Sequence, residues 1–419
     1  MTTAFTNRVF GCVVIKSVNS NYNADFTHQP RTLPDGTVYA TDKALKYTVR
    51  NYLKKAYPDD KVFYFKTMDS DFKPRTLDES YVLYFGDFPK KSKKKDNSEP
   101  EKFYLFKYDG DSVTGLLPGQ IKPATVKKYF KSLGEDSDLK QLANDFNKVT
   151  GKKAEQQTTD FVLSKLMEEQ EESFWYIENG KLQKINGSFI DIETVANELD
   201  NLVTGGLDRK IMLSNLLTCI DVRLFGGTYA GQANLSIHGP LQITHGVNRY
   251  VEGIIYSEQI MSPFRNPGEK SADSTMSTLG TQSKLKEGHY VHGLSLNPHN
   301  ISDLIKLSGG QSITDEDITK VKNALTQGAT LYDSAAKAGT ENELMLWVQL
   351  KPGSMLVLPS FVELISVDAD RVIHLEKVTK ILERPTVSKH IEKIELYYDK
   401  TVTQVKGEPN NAIILELNQ

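Results

Sequence analysis

The chain predicts an α+β protein whose core runs strand, helix, strand, strand, helix, strand, the split βαβ order of ferredoxin-like and RNA-recognition folds. Three observations carry this. Apolar, β-branched runs recur at Arg8–Val18, Asn234–Thr244, His289–Leu296 and Glu343–Leu350. Two helix-period segments with start signals lie between them, one opening at Thr41-Asp42 and one at Thr314. Two long polar excursions, 61–205 and 257–287, interrupt the order and can be set aside without breaking it.

Each element follows from its residues. Arg8–Val18 reads as a buried strand, and Ser20–Gly36, rich in Asn, Asp, Pro and Gly, as a loop of functional length. Thr41 caps a helix from Lys43 to about Tyr57, with Leu45, Val49, Tyr52 and Leu53 as its apolar stripe and Pro58 as its stop. Residues 61–205 read as a mostly helical insertion. It opens with strand-like patches at Lys61–Phe65 and Tyr81–Phe85 and the lysine-rich run Pro89–Pro100. Helical patterns follow at Lys122–Ser132, Asp138–Val149, Thr158–Glu172 and Ile192–Leu202. Strands resume at Ile220–Phe225 and Asn234–Thr244, and a polar, hairpin-like stretch leads to the strand His289–Leu296. Thr314 then caps a helix with Asp315, Glu316 and Asp317 in its first turn, where the helix dipole favours acids; it runs to about Thr326. Glu343–Leu350, Met355–Val367 and Ile391–Tyr398 read as further strands, and no repeat at a solenoid period is present.

A length of 419 residues suggests two or three folding units. With 39% hydrophobic and 25% charged residues the chain reads as soluble and globular, and no apolar run reaches the ~18 residues of a membrane helix. Met1–Arg8 lacks the apolar core of a signal peptide, and Cys12 and Cys219 lie in apolar runs as buried thiols would. Both point to a reducing cytoplasm. The net charge of −3 argues against coating by nucleic acid through bulk charge, yet Lys43–Lys55, Lys90–Lys95 and Lys122–Lys131 are locally basic.

No phosphate-cradling Gly-x-x-x-x-Gly-Lys, dinucleotide fingerprint, nucleophile elbow or zinc-spaced Cys pair is present. His289 and His292, three apart on a strand, point to opposite faces and cannot share a metal. No metal, cofactor or catalytic residue is therefore assigned. Asp25, beside Asn21, Asn23 and His28, is open to two readings: a carboxylate that activates a ribose hydroxyl, or an Asx-type turn residue. Lys43, Lys46, Arg50 and Lys54 fall at helical spacing and line one stripe, which can hold a run of phosphates or simply face solvent. Arg31 and Arg249 lie in loops at strand edges, where a guanidinium fork suits a phosphate. Met276 and Leu279 stand isolated in the second polar excursion among Arg265, Lys270, Lys284 and Lys286, as an inserting wedge beside cations would.

Several of these segments together resemble one family. They are Ser20–Arg31, Thr41-Asp42-Lys43 through Arg50-Asn51-Tyr52, Asp221-Val222-Arg223-Leu224-Phe225-Gly226, Ile237-His238-Gly239-Pro240-Leu241-Gln242, Ile255-Tyr256-Ser257 and Thr278–Val291. In this order they resemble the backbone subunit of the type I CRISPR Cascade surveillance complex, most like type I-B. The loop Asn21-Tyr22-Asn23-Ala24-Asp25 departs from the family's Asn-Pro-Asn-Gly-Asp-like run in lacking Pro and Gly. The resemblance implies an RNA-recognition-like palm (1–60, 206–256 and 288–419), helical fingers (61–205) and a thumb hairpin (257–287). It implies a non-catalytic scaffold that polymerises along CRISPR RNA, holds the sugar-phosphate backbone and kinks out bases with the thumb. The bases between kinks stay free to pair with target DNA. Its partners would be CRISPR RNA, further copies of itself, other Cascade subunits and a helicase-nuclease recruited later, with no membrane. RNA binding falls by this likeness on Asn21, Asn23, Arg31, Lys43, Lys46 and Arg50 in the palm. It falls also on His245, Asn248 and Arg249 at a strand end, and on Met276, Leu279, Gln282 and Lys284 in the thumb. Without the likeness, a metal-dependent ribonuclease using Asp25 and an interaction scaffold with no RNA role are both open readings.

Overall fold

The computed structural model describes residues 3–90, 104–108, 113–118, 173–178, 181–184, 207–261 and 279–417. The chain divides into two compact units, Met1–Gly86 with Lys210–Gln419, and Asp87–Arg209. Residues 61–86 thus pack with the first unit rather than with the insertion.

The first unit is built on one large sheet. Its strands are β1 (Val9–Ser20), β2 (Tyr39–Ala40), β9 (Leu241–Asn248), β10 (Ile255–Met261), β11 (Leu279–Leu296), β12 (Thr340–Leu350), β15 (Ile391–Tyr398) and β17 (Ala412–Leu415). They lie in the order β17-β15-β12-β1-β11-β9-β2, with β10 paired to the outer part of β11. β1 is central and antiparallel to both neighbours, with Val14 opposite Val291 of β11 and Leu344 of β12. The apolar run in β1 is nearly continuous because both faces of the sheet are covered. Val9, Val13 and Ile15 face the helices α1 (Asp42–Ala56) and Asp315–Leu331. Phe10, Cys12 and Val14 face the C-terminal layer of Leu358, Phe361, Val362, Ile365, Val378 and Leu382. The stripe Leu45, Val49, Tyr52 and Leu53 is the buried face of α1 as its period requires. A Cβ at Gly328 of the second helix would sit 3.1 Å from the Thr48 carbonyl, so the two helix backbones approach there. The second helix opens with a full capping box between Thr314 and Asp317 and continues to Leu331.

Five expectations differ from the structure, one of them the single strand expected over Asn234–Thr244, which Gly239-Pro240 divides into Asn234–His238 and Leu241–Asn248 in two different sheets. Ile220–Phe225 is a helix, not a strand. Ile220 and Leu224, four apart, enter the same core, and a six-residue apolar run carries too few periods to separate the two alternatives. Tyr81–Phe85 lies in helix α2 (Leu77–Phe85), whose capping box joins Thr76 and Glu79. Lys61–Phe65 joins no ladder, because a carboxylate takes its amides, as described below. Met355–Val367 is irregular apart from β13 (Ser366–Val367), which joins β14 (Ile373–His374) and β16 (Val405–Lys406). Leu358, Phe361, Val362, Ile365 and Val367 of this stretch cover the second face of the sheet.

The remaining described strands of the first unit are β7 (Gly226–Ala230) and β8 (Asn234–His238), a hairpin separated from β9 by Gly239-Pro240. In the second unit, β3 (Tyr104–Tyr108), β4 (Val113–Pro118), β5 (Ser173–Glu178) and β6 (Lys181–Lys184) form an antiparallel sheet in the order β4-β3-β5-β6. The helices expected between Lys122 and Leu202 lie outside the described residues. Among the described residues no helix is long and apolar enough to cross a membrane.

His289 and His292 do occupy opposite faces. His289 Nδ1 lies 2.6 Å from Glu343, against Tyr250. His292 donates from Nδ1 to the Thr244 carbonyl at 3.0 Å, so its Nε2 accepts from the Tyr22 hydroxyl at 3.3 Å. Burial pushes the His292 imidazole down to about 4, from the usual 6.5 of a free imidazole. Between these values the unfolded chain takes up a proton that the folded chain refuses, so stability falls as pH drops through the window, by up to ~3 kcal/mol. Urea midpoints compared between about pH 7 and pH 4.5 should show this loss in the natural chain and a smaller one in His292→Gln. Equal losses in both would clear His292 as the source.

Candidate nucleic-acid interface

Four of the six predicted palm residues, Asn23, Arg31, Lys43 and Lys46, gather near the N-terminus of α1. Asn23 lies between the first loop and the helix, its Oδ1 accepting from the Thr41 amide at 2.9 Å and the Thr41 hydroxyl at 3.0 Å. Thr41 stands at the N-cap position, but its side chain is spent on Asn23 rather than on the helix. Asp42, nearly buried, then gathers the charges. Lys43 reaches its Oδ1 at 2.8 Å and Lys46 its Oδ2 at 3.2 Å, while the Asp42 amide donates to His245 Nδ1 at 3.3 Å. Burial alone would raise the Asp42 carboxyl, but hydrogen bonds from Lys43 and Lys46 hold it below the usual range. His245 also packs on Tyr39, ring centroids 5.5 Å apart, and remains half exposed. Lys43 is the open cation of the group, with 80% of its side chain in solvent against 14% for Lys46.

Arg31 is linked to this cluster through its amide, which donates to the Asn23 carbonyl at 3.3 Å. Its Nε donates to the Ala24 carbonyl at 3.0 Å, and its guanidinium lies 5.8 Å from the exposed Phe26 ring. Between them Asp25 forms an Asx-type turn: its Oδ1 accepts from the Thr27 hydroxyl at 2.7 Å and the amides of Thr27 and Gln29. The Thr27 hydroxyl first, and then these amides, hold the Asp25 carboxyl below its ordinary value.

The other predicted residues are spent within the fold or lie elsewhere. Asn21 is buried and donates to the carbonyls of His28 and Ser283, tying the loop to β11. Arg50 is 15% exposed and paired at 3.0 Å with Asp221, with its guanidinium over Phe225 at 5.2 Å. The stripe on α1 is thus a mixture of two exposed lysines, Lys43 and Lys54, and two cations, Lys46 and Arg50, held by fixed carboxylate partners. Asn248 bridges the β9 end, accepting from the amides of Tyr250 and His289, and Arg249 pairs with Glu363 and the Val362 carbonyl. Along the β10–β11 hairpin, where Ile255 pairs with Leu285 and Met261 with Leu279, Lys284 meets Glu258 at 3.0 Å and Gln282 approaches the Ala335 carbonyl at 3.5 Å. Leu279 opens β11; Met276 lies outside the described residues.

Sequence reasoning missed Asp42, Asp221 and Lys337. Asp221 is fully buried and accepts from the amides of Phe63 and Tyr64 and from Arg50. Lys337 donates to the Tyr22 carbonyl and lies over the rings of Tyr22 and Tyr332; burial pushes its ammonium down to about 8. Asp42 was legible as a helical i,i+4 partner of Lys46; nothing local marks the other two.

Residues 7–381 match the family model of CRISPR-associated protein Cas7. The chain belongs to that family. No curated protein matches this Cas7-family chain. It is similar to a chain of a solved structure described as "CRISPR RNA-guided surveillance complex, pre-nicking", at 13% identity and a TM-score of 0.43, covering 98% of this chain and 96% of that one. A second, described as "CRISPR RNA-guided surveillance complex", is 12% identical with a TM-score of 0.30, covering 49% of this chain and 76% of the other. In the Cas7-family chain the Asp221–Phe225 segment is a structural clamp, and the solvent-facing candidates for a ligand gather around Arg31, Lys43 and His245.

Proposed function

We propose that the chain is a CRISPR RNA-binding backbone subunit of a type I Cascade complex, of the type I-B kind, acting in the cytoplasm. Copies assemble along the guide RNA beside other Cascade subunits, hold its sugar-phosphate backbone and leave the spacer to pair with target DNA, before a helicase-nuclease is recruited. The observation that carries this is the Cas7-family match over 7–381. The strand order β12-β1-β11-β9, with α1 after β1 and Asp315–Leu331 before β12, supports a ferredoxin-like, RNA-recognition-type palm. The β10–β11 hairpin supports a thumb whose far end would kink the RNA. Sequence reading is then left to guide pairing, with the protein holding backbone and shape. Engagement of Asp25 in its own turn favours a scaffold over a ribonuclease.

Co-expression with a CRISPR RNA, followed by sizing and absorbance ratio, should give a large discrete particle carrying RNA of defined length. That RNA should remain intact during long incubation with magnesium. A nucleic-acid-free monomer at low salt, in the presence of the other subunits, would refute the scaffold. Regular cleavage lost in Asp25→Asn would replace it with the nuclease. Arg31→Ala with Lys43→Ala should lower the salt slope of RNA binding by about 1.4, from about 0.7 per single-strand phosphate contact, for every sequence tested. An unchanged slope would remove these two residues from the interface.

A further inference from the structure

The first loop has a second copy. Ala24-Asp25-Phe26-Thr27-His28-Gln29-Pro30-Arg31-Thr32-Leu33 and Met68-Asp69-Ser70-Asp71-Phe72-Lys73-Pro74-Arg75-Thr76-Leu77 share Asp, Pro, Arg, Thr and Leu in register. Their backbones match bond for bond. Ala24 bridges Pro30, and Met68 bridges Pro74. The amide of Asp25 donates to Gln29 at 2.8 Å and that of Asp69 to Lys73 at 2.9 Å; Arg31 donates to Asn23 at 3.3 Å and Arg75 to Thr67 at 3.0 Å. Asp69 Oδ1 accepts from the amides of Asp71 and Lys73, as Asp25 does from those of Thr27 and Gln29. Arg75 Nε donates to Met68 at 3.1 Å as Arg31 Nε does to Ala24. In both copies the terminal guanidinium nitrogens have no hydrogen-bond acceptor among the described residues.

The likeness ends where the loops end. After Leu33 the chain turns at Pro34–Gly36, whereas after Thr76 it enters α2; the helix cap explains Thr76, but the flanking structure does not account for the shared Asp, Pro and Arg. Each loop tip also holds a ring in the left-handed region, His28 at φ 65° and Phe72 at φ 61°. A phenylalanine there is strained, and Phe72 is 86% exposed, so the fold gains nothing from its ring. Phe26 beside Arg31 is likewise 96% exposed. In the first loop the ring lies within reach of the guanidinium; in the second the exposed ring of Phe72 stands three residues before Arg75 on the same turn, and an outward ring with an unspent guanidinium on one loop can stack a base and take a phosphate.

We infer that the loop Thr67–Arg75 is a second contact for single-stranded nucleic acid, stacking a base on Phe72 and holding a phosphate with Arg75 and Lys73. The inference rests on the RNA-scaffold reading of the first loop. Its test is ultraviolet crosslinking of the full-length chain loaded with CRISPR RNA, alone and after addition of a complementary DNA strand, with crosslinked peptides mapped. The peptide containing Phe72 should crosslink, to RNA in the first arm if the guide is the ligand, or only in the second if the target strand is. Phe72→Gly, which relieves the strained backbone and should leave melting unharmed, should abolish the crosslink and weaken binding of that strand about fivefold or more. Arg75→Gln should lower the salt slope by about 0.7.

Crosslinking confined to the first loop, with Phe72→Gly binding unchanged, overturns the inference and leaves the scaffold standing. A chain that carries no RNA and crosslinks at neither loop overturns both. A smaller particle in Phe72→Gly with no crosslink at the loop makes it a contact between subunits and overturns the inference alone.

Discussion

Asp221→Ala should destabilise the first unit by about 3–5 kcal/mol, because it strands a charge and two amides that the fold has removed from water. The carboxylate is fully buried, with its oxygens on the amides of Phe63 at 2.8 Å and Tyr64 at 2.9 Å and on Arg50 Nε at 3.0 Å. It substitutes in part for a missing strand partner: residues 61–65 have no ladder, and one side chain takes the amides of Phe63 and Tyr64 and joins them to α1 through Arg50. For a unit of this size the melting temperature should fall by roughly 10 °C. Arg50→Ala alone should also be costly, and the double variant should cost less than the sum, because Arg50 and Asp221 answer each other. A drop under about 2 °C in Asp221→Ala would mean that water replaces the carboxylate freely.

Asp317→Ala should be comparably severe, at about 3–5 kcal/mol for the unpaired guanidinium and about 1 kcal/mol more for the lost cap. Asp317 receives Arg223 in a fork, Nη2 at 2.8 Å and Nε at 3.1 Å, both residues being buried. It also completes the capping box with Thr314. Arg223 Nη1 goes on to the carbonyls of Leu217 and Thr218 and to Gln311, fastening the short helix Ile220–Phe225 to the start of the long one. Replacing both Arg223 and Asp317 by leucine should recover part of the loss, since an apolar pair leaves no charge stranded. If the double variant is worse than Asp317→Ala, the carbonyls that Arg223 satisfies matter more than the ion pair. In both experiments RNA affinity, measured well below the melting temperature, should hold, since these side chains face the core rather than solvent.

The contrast between these two acids and Lys43 explains why the candidate interface was only partly legible. Spacing places Lys43, Lys46 and Arg50 on one helical stripe correctly. It does not reveal that Asp42 takes the first two, or that Asp221, distant in sequence, takes the third. The family likeness assigns Asn21 and Asn248 to RNA, yet both are spent on backbone groups of neighbouring strands. Asp25 was open between base and turn residue, and the amides of Thr27 and Gln29 favour the turn.

The long amphipathic elements were determined by sequence alone. β1, α1, the helix capped by Thr314, β12 and β15 follow from periods and caps repeated over many residues, which nearby packing reinforces rather than overrides. The short apolar runs were decided by tertiary structure. Ile220–Phe225 became a helix because the core accepts residues four apart, and Lys61–Phe65 stayed unpaired because a buried carboxylate meets its amides. Tertiary structure also decided which cations are open to a ligand. A charge pattern in one dimension counts residues, whereas availability depends on acids brought alongside by folding.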